Sequence, residues 1–559
     1  MPFLSVRTPA LLAIVGILAF FASTATPPAY AQDPAPADAA APLPANAAPA
    51  EATPAEPVPA SDWQTRFDGW FGESVVKPLN KLLFFSVYSH EVPQATGDPV
   101  VAELPLIVLV LVLGGLFYTF RLNFVNVTLF WHSLRVTAGK YDDPDDVGEV
   151  SHFKALTAAL SATIGLGNIA GVALAITLGG PGAVFWMWFA AFFGMSMQFA
   201  STVSAQLYRR ILPDGRVLGG PMVYLEGGIK ELFSNRGRFL KPAGFFFAKA
   251  VGVLFAMLTI GGAFGAGNMF QANQTVSIIM LEVFDGSQSP MLKFGLGVVL
   301  AFLTGIVMIG GIKRIGDVTD KLVPFMCIFY CGVCLIIICM NLDKAPGMFA
   351  SIFQQAFNPD AMYGGFLGAL VVGMRRAAFS NESGLGSASI AQATAKTKEP
   401  VQGGAVAMMG PFIDTIVVCT MTALAILITD AHVNAKGLQG VEITSVAFAQ
   451  LGAFVPLALC VSVFTFAYST MISWGYYGER AVEYLVGTRG ILPYRILYVA
   501  TVCVGPVLSL NQVMDFADGL LLSMAFPNIL GMALFSGKIK SVTADYVRRL
   551  KGGKIAPTR

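Results

Sequence analysis

The sequence predicts an all-α integral membrane protein of about 11 transmembrane helices, ten of them forming a 5+5 inverted repeat whose leading helices are both interrupted. Three observations carry that prediction. Hydrophobic residues make up 55% of the 559-residue chain and charged residues 13%, against about 25% charged in a soluble domain, and mean hydropathy is +0.66. Apolar runs long enough to span a bilayer recur at 103–121, 152–178, 184–208, 244–278, 293–310, 322–341, 361–391, 402–429, 453–478, 491–510 and 516–536. Two of these runs, 152–178 and 361–391, exceed the length a span requires and hold glycines and polar residues at membrane depth.

From the N-terminus, residues 1–31 read as an export signal: Arg7 precedes the apolar run Leu11 to Ala22, and alanines 29 and 31 suit a cleavage site. Residues 32–60 form an Ala/Pro-rich disordered tether without Lys or Arg. Within 61–102, Trp63, Phe67, Trp70 and Phe71 repeat at helical spacing, which predicts an amphipathic periplasmic segment lying at the membrane surface. The transmembrane domain is 103–540 and the tail is 541–559.

Orientation follows from the basic residues. With the mature N-terminus periplasmic, Arg209, Arg210, Lys313, Arg314, Lys396, Lys398 and the lysine-rich tail from Lys538 fall on the cytoplasmic side, while the external loops keep only scattered Lys and Arg. A multi-pass protein of a bacterial inner membrane with a cytoplasmic C-terminus is expected. The stretch 209–243 is too polar to span and is expected to hold a short amphipathic helix on the cytoplasmic face, with re-entry into the membrane as the alternative. Trp186 and Trp188 are expected at the external interface.

Composition also excludes function classes. The formal net charge of +2 gives no electrostatic bias toward nucleic acid. The seven cysteines lie in apolar segments away from histidine and are read as core residues. An enzyme would need a nucleophile with a base, or a metal cluster. The sequence has no HExxH or GxSxG, and His90, His132, His152 and His432 all lie outside the middle of a span.

The first interruption reads "SATIGLGNIAGVA" from Ser161, and the second reads "AAFSNESGLGSASIA", with the echo Gly165–Asn168 and Gly384–Ser387. Glycine costs a helix about 1 kcal/mol relative to alanine, and each amide freed in hydrocarbon costs several more unless it finds a partner. Such breaks are sustained by something they bind. The N–H groups around Leu166, Gly167 and Asn168 form the positive end of a half-helix and suit a carboxylate. Carbonyls freed around Phe379 and Ser380 suit an ammonium. Paired interrupted helices at matching positions of inverted halves point to a transporter binding site near the membrane midplane.

The blocks "SATIGLGNIAGVALAITLGGPGAVFWMWFAAFFGM" (161–195), "GAGNMFQAN" (265–273), "FSNESGLGSASIAQATAKT" (379–397) and "YSTMISWGYYGE" (468–479) resemble the signatures of the alanine or glycine:cation symporter family, the sodium:alanine symporters of the amino acid-polyamine-cation superfamily. The resemblance covers about 103–540. It implies the leucine-transporter-like fold and a secondary active transporter that carries L-alanine, glycine or serine into the cell with sodium by alternating access. It adds Gln271 as a polar substrate contact and Phe379 and Trp474 as aromatic pocket walls. It places Na+, the coupling ion, among the carbonyls of Ser161, Ile164 and Phe466 and the hydroxyls of Ser469 and Thr470; no other cofactor is implied. Where the family commonly has threonine in "IGTGN", this chain has Leu166, and "SNEAG" reads "SNESG". Proton coupling is the alternative, with Glu382 and Asp414 as titratable candidates that Arg375 and Arg376 could neutralise. A sensor or channel on the same fold is the other alternative.

Overall fold

A computed structural model of the chain describes residues 62–92, 100–143, 145–234, 240–308, 311–358, 365–435, 437–452, 454–555 and 557. The expected export signal and tether lie outside the described residues. Among the described residues, eight helices are long and apolar enough to cross a membrane: Gly182–Tyr208, Leu240–Val283, Pro290–Met308, Ile312–Met340, Pro400–Ile428, Val455–Val486, Thr488–Val507 and Leu510–Leu534. Each falls on one of the predicted runs.

The other three predicted runs fall short of an unbroken span for visible reasons. Leu106–Arg121 has only 16 residues. The first long run is split into His152–Thr163 and Ala170–Gly179, and the second into Gly365–Asn381 and the short turn Ser389–Gln392. In the second gap Glu382, Gly384 and Gly386 all take positive φ, at 54°, 85° and 85°. This is a conformation that glycine adopts freely and glutamate adopts at a cost.

The bundle presents apolar side chains outward, as its composition implies for a protein in lipid. Phe246 (79% exposed), Ile328 (74%) and Phe302 (67%) face outward on spanning helices, while Trp474, Tyr330, Phe466 and Phe448 are buried between them. The Leu240–Val283 helix contains a π-turn at Gly265–Met269. A Cβ built on Gly267 would stand 2.3 Å from Trp474 Cβ, so glycine is what lets the Val455–Val486 helix approach there.

Two peripheral segments pack against the bundle. The helix Pro221–Ser234, expected to lie on the cytoplasmic surface, is buried through its first turns and packs against Leu240–Phe264 and Gly182–Tyr208. A two-stranded hairpin, Arg210–Ile211 with Val217–Leu218, precedes it. The amphipathic helix Asp62–Phe71 does form, but it docks Phe71 on Phe516 of the bundle, with Trp63 and Trp70 left exposed. A second antiparallel pair, Ser86–Val92 with Val100–Pro105, leads into the Leu106–Arg121 helix. Trp186 is buried and Trp188 is half-buried. Trp186 Nε1 donates to Ala356 O (3.1 Å) and Trp188 Nε1 to Thr420 Oγ1 (2.8 Å).

Candidate substrate and ion site

The two breaks meet. A Cβ on Gly167 would lie 3.2 Å from both Phe379 Cδ1 and Ser380 Cα, so the first break touches the end of the Gly365–Asn381 helix at a position where an added Cβ would force its neighbours to give way. Asp414, on the π-helical stretch Phe412–Cys419 of the Pro400–Ile428 helix, binds both at once. Its Oδ2 accepts from Asn168 Nδ2 at 2.8 Å, and its Oδ1 accepts from Ser380 Oγ at 2.6 Å and Thr415 Oγ1 at 2.8 Å. Cys419 Sγ completes the cluster, 3.4 Å from Asn168 Nδ2 and 3.3 Å from Ser380 Oγ. All of these groups are buried. A buried carboxylate in such surroundings has to be held by donors, and here the donors are the breaks themselves.

The backbone of the first break is largely, but not wholly, satisfied. Gly165 N–H donates to Asn168 Oδ1 (3.1 Å) and Asn168 N–H to Gly165 O (3.1 Å), while Leu166 N–H donates to Gln271 Oε1 (3.1 Å). Gly167 N–H has no partner among the described residues. Of the three amides expected to meet a carboxylate, one is free and one is occupied by a side chain that can rotate. Gln271 thus occupies the Leu166 amide of the first break, while its Nε2 donates to Ala266 O at 3.0 Å. In the second break Ser383 N–H, which a continuous helix would pair with Phe379 O, goes to Asn381 Oδ1 (2.9 Å), and the carbonyls of Phe379 and Ser380 lack a partner outside their helix.

Phe379 and Trp474 both lie at the second break and are buried. Phe379 meets Phe270 edge to face at 4.9 Å, and Trp474 Nε1 donates to Glu382 Oε1 at 2.9 Å while Ser387 Oγ bonds the other oxygen. Glu382 thus orients the Trp474 ring across the second break.

Next to Gly165 the expected ion ligands gather. Ser161 Oγ donates to Ser469 O (2.7 Å), Thr470 Oγ1 to Ser161 O (3.0 Å) and Ser469 Oγ to Phe466 O (3.0 Å). Ser473 Oγ joins them by donating to Ser161 Oγ at 2.9 Å. This set of hydroxyls and carbonyls from two helices has the all-oxygen chemistry a hard cation requires. Ile164 caps the same half-helix, its N–H on Leu160 O at 2.6 Å.

Several members were not singled out from sequence. Ser473 lies four residues after Ser469, hence on the same helical face, and that spacing was the available signal. Asp414 and Glu382 were seen only as titratable candidates. The structure corrects their expected neutralisation: Arg375 and Arg376 both pair with Asp518, and neither Glu382 nor Asp414 forms an ion pair among the described residues. Asn528 had no sequence signal. It donates to Gly384 O (2.8 Å) and accepts from Tyr224 OH, fastening the second break to two neighbouring helices.

Residues 89–558 match the model of the sodium:alanine symporter family. The chain belongs to that family. Relatives agree over most of their length. The chain is 42% identical over 442 residues to the sodium/alanine symporter AgcS of Methanococcus maripaludis, covering 78% of this chain and 93% of that one. It is 34% identical over 453 residues to the probable sodium/glutamine symporter GlnT of Bacillus subtilis, covering 80% and 89%. Among solved structures it is similar to MhsT in complex with L-phenylalanine, with a TM-score of 0.49 and 16% identity over 70% of this chain and 89% of that chain. Family membership and the apolar helices make this a multi-pass membrane transporter of a family of amino-acid symporters.

Proposed function

We propose that the protein imports a small neutral amino acid, L-alanine, glycine or serine, together with Na+ across a bacterial inner membrane. The observation that carries this reading is the junction of the two broken helices at Gly167, where the Gly167 amide is free among the described residues and the Phe379 and Ser380 carbonyls lack a partner outside their helix. The substrate carboxylate would take the Gly167 N–H and displace Gln271 from Leu166 N–H, Asn168 would hold the loop in shape, and the ammonium would take the carbonyls. Phe379 and Trp474 would restrict the substrate side chain to about the size of a methyl group. Sodium would replace the hydrogen bonds that now join Ser161, Ser469, Thr470 and the Phe466 carbonyl, with Ile164 O added.

Both ligands then bridge the first broken helix to the rest of the bundle. Exchange between outward-open and inward-open arrangements is easiest when both are bound or both absent, which is the condition for coupling. The transmembrane domain is 103–540, the mature N-terminus periplasmic and the tail 541–559 cytoplasmic.

One observation favours a second reading, proton coupling: Asp414 and Glu382 are buried carboxylates without an ion-pair partner among the described residues. The test is a binding panel of all twenty amino acids on purified protein, in sodium and in potassium, at two pH values. Tight binding of alanine or glycine only in sodium supports the proposal. Binding that ignores sodium but follows pH assigns the coupling to the carboxylates, and binding of no amino acid refutes both.

A further inference from the structure

Residues 62–84 precede the family match, which begins at residue 89, yet they are built tightly into one end of the bundle. Gln64 Nε2 donates to Val507 O at 2.8 Å. Asp68 Oδ1 accepts from Ser509 N at 2.8 Å, at the start of the helix Leu510–Ser523. Phe71 meets Phe516 edge to face at 5.4 Å, and Val76 is buried. On the same helix a Cβ at Gly519 would stand 2.8 Å from Asn80 Oδ1 and 3.4 Å from Leu79, so that glycine admits the segment. The segment ends with Phe84 over the Arg375 guanidinium at 4.8 Å.

Arg375 is one arm of an ion triad. Its Nη2 donates to Asp518 Oδ2 at 2.9 Å, Arg376 donates to the same oxygen, and the Arg376 guanidinium lies 5.2 Å over the ring of Phe379, the proposed pocket wall. Asp518 and Arg376 are buried, and Arg375 keeps 28% of its side chain exposed. Asp518 Oδ1, Arg376 Nη1 and Arg375 Nε have no hydrogen-bond partner among the described residues. A buried triad of this kind is costly to pull apart and leaves polar atoms ready for new partners once it opens. The contacts run without a gap from Phe84 through Arg375, Asp518 and Arg376 to Phe379.

We propose that residues 62–84 act as a strap across the end of the substrate site, holding the triad between the helices Gly365–Asn381 and Leu510–Ser523 closed. The strap must lift from Phe516 and Gly519 before Arg375 and Arg376 can leave Asp518 and expose Phe379. Phe84 contributes in two ways: its ring face attracts the guanidinium, and its bulk keeps water from the pair. The strap rests on the transport reading for its purpose, but its mechanical coupling can be measured without any substrate.

The experiment is hydrogen–deuterium exchange on the full chain in lipid nanodiscs, comparing the wild type with Phe84→Ala, Phe84→Tyr and Asp518→Asn. Phe84→Ala is expected to raise amide exchange in 371–381 and 510–523 by roughly 3- to 30-fold while 221–234, at the far end, keeps its rate. Reciprocally, Asp518→Asn should raise exchange across 62–84, because coupling between two sites acts both ways. Wild-type rates in 371–381 and 510–523 for Phe84→Ala, or in 62–84 for Asp518→Asn, would overturn the proposal. If Phe84→Ala loosens the whole chain, Phe84→Tyr decides: return of every segment to wild-type rates supports a ring-on-guanidinium lock, and failure to return overturns it. A strap that passes this test in a protein that binds no amino acid would leave the strap standing and refute the transport reading alone.

Discussion

Asp414 is the side chain on which both broken helices depend, and its replacement tests that dependence by graded chemistry. Its carboxylate accepts three side-chain hydrogen bonds, from Asn168 (2.8 Å), Ser380 (2.6 Å) and Thr415 (2.8 Å). Asp414→Asn keeps the shape but turns one oxygen into a donor, so one of the present donors loses its acceptor, at a cost of about 1–3 kcal/mol. Asp414→Ala strands Ser380 and Thr415, while Asn168 retains the Asp414 backbone carbonyl at 3.2 Å, so about 2–6 kcal/mol is expected. At about 1.4 kcal/mol per tenfold, a cost that falls on the bound state weakens amino-acid binding roughly 5- to 100-fold for Asn and 30-fold or more for Ala. Isothermal titration with alanine in sodium, beside thermal melting of the same samples, separates binding from stability. Equal affinity in wild type and Asp414→Ala would refute the bridge, as would an Asn variant that binds worse than the Ala variant.

Three further outcomes are expected. Gly165→Ala places a Cβ 2.5 Å from Thr470 Oγ1, so sodium half-saturation of binding should rise about tenfold, with amino-acid selectivity kept; an unchanged sodium dependence would contradict the ion site. Trp474→Ala removes a pocket wall and the bond to Glu382, and a competition panel should then admit larger side chains, whereas continued selection of small ones would show that Trp474 lines no pocket. Glu226 lies on the Pro221–Ser234 helix; burial alone would raise its pKa, but hydrogen bonds from Lys230 and Tyr484 and the charges of Lys249 and Arg210 outweigh burial and lower it. A lowered folded-state value means stability that is present above the ordinary glutamate pKa of about 4.3 and is lost as pH falls through the lowered one. Glu226→Gln should therefore melt below wild type at pH 7, with the gap closing on acidification; a gap that persists in acid would assign its effect to packing.

Much of the fold was legible because lipid makes hydropathy and length decisive, and each of the eight continuous spans lies on an apolar run. The two interruptions were legible for the opposite reason: glycines beside Asn168, Asn381 and Glu382 have no place in a helix that only packs. Which side chain would answer them was not legible. Asp414 comes from a run whose other residues are almost all apolar, and its link to Asn168 and Ser380 spans 246 and 34 residues of sequence. Arg375 and Arg376 show the same limit: sequence proximity suggested Glu382 as their partner, while the folded chain brings them Asp518 from 142 residues away. Amphipathic spacing identified the helix Asp62–Phe71, but a hydrophobic stripe fits a lipid surface and a protein surface equally well. Only the fold shows that Phe71 of this stripe meets Phe516 while Trp63 and Trp70 stay exposed.

The central claim is that one junction of two broken helices binds an amino acid and sodium together. It is tested most directly by accumulation of labelled alanine in proteoliposomes holding the full chain, driven by an inward sodium gradient at constant pH. The structure predicts concentrative uptake that collapses when potassium replaces sodium and falls at least tenfold in Gly167→Ala, whose Cβ would fill the junction between the breaks. Accumulation that proceeds equally without sodium, or that is untouched by Gly167→Ala, would contradict it.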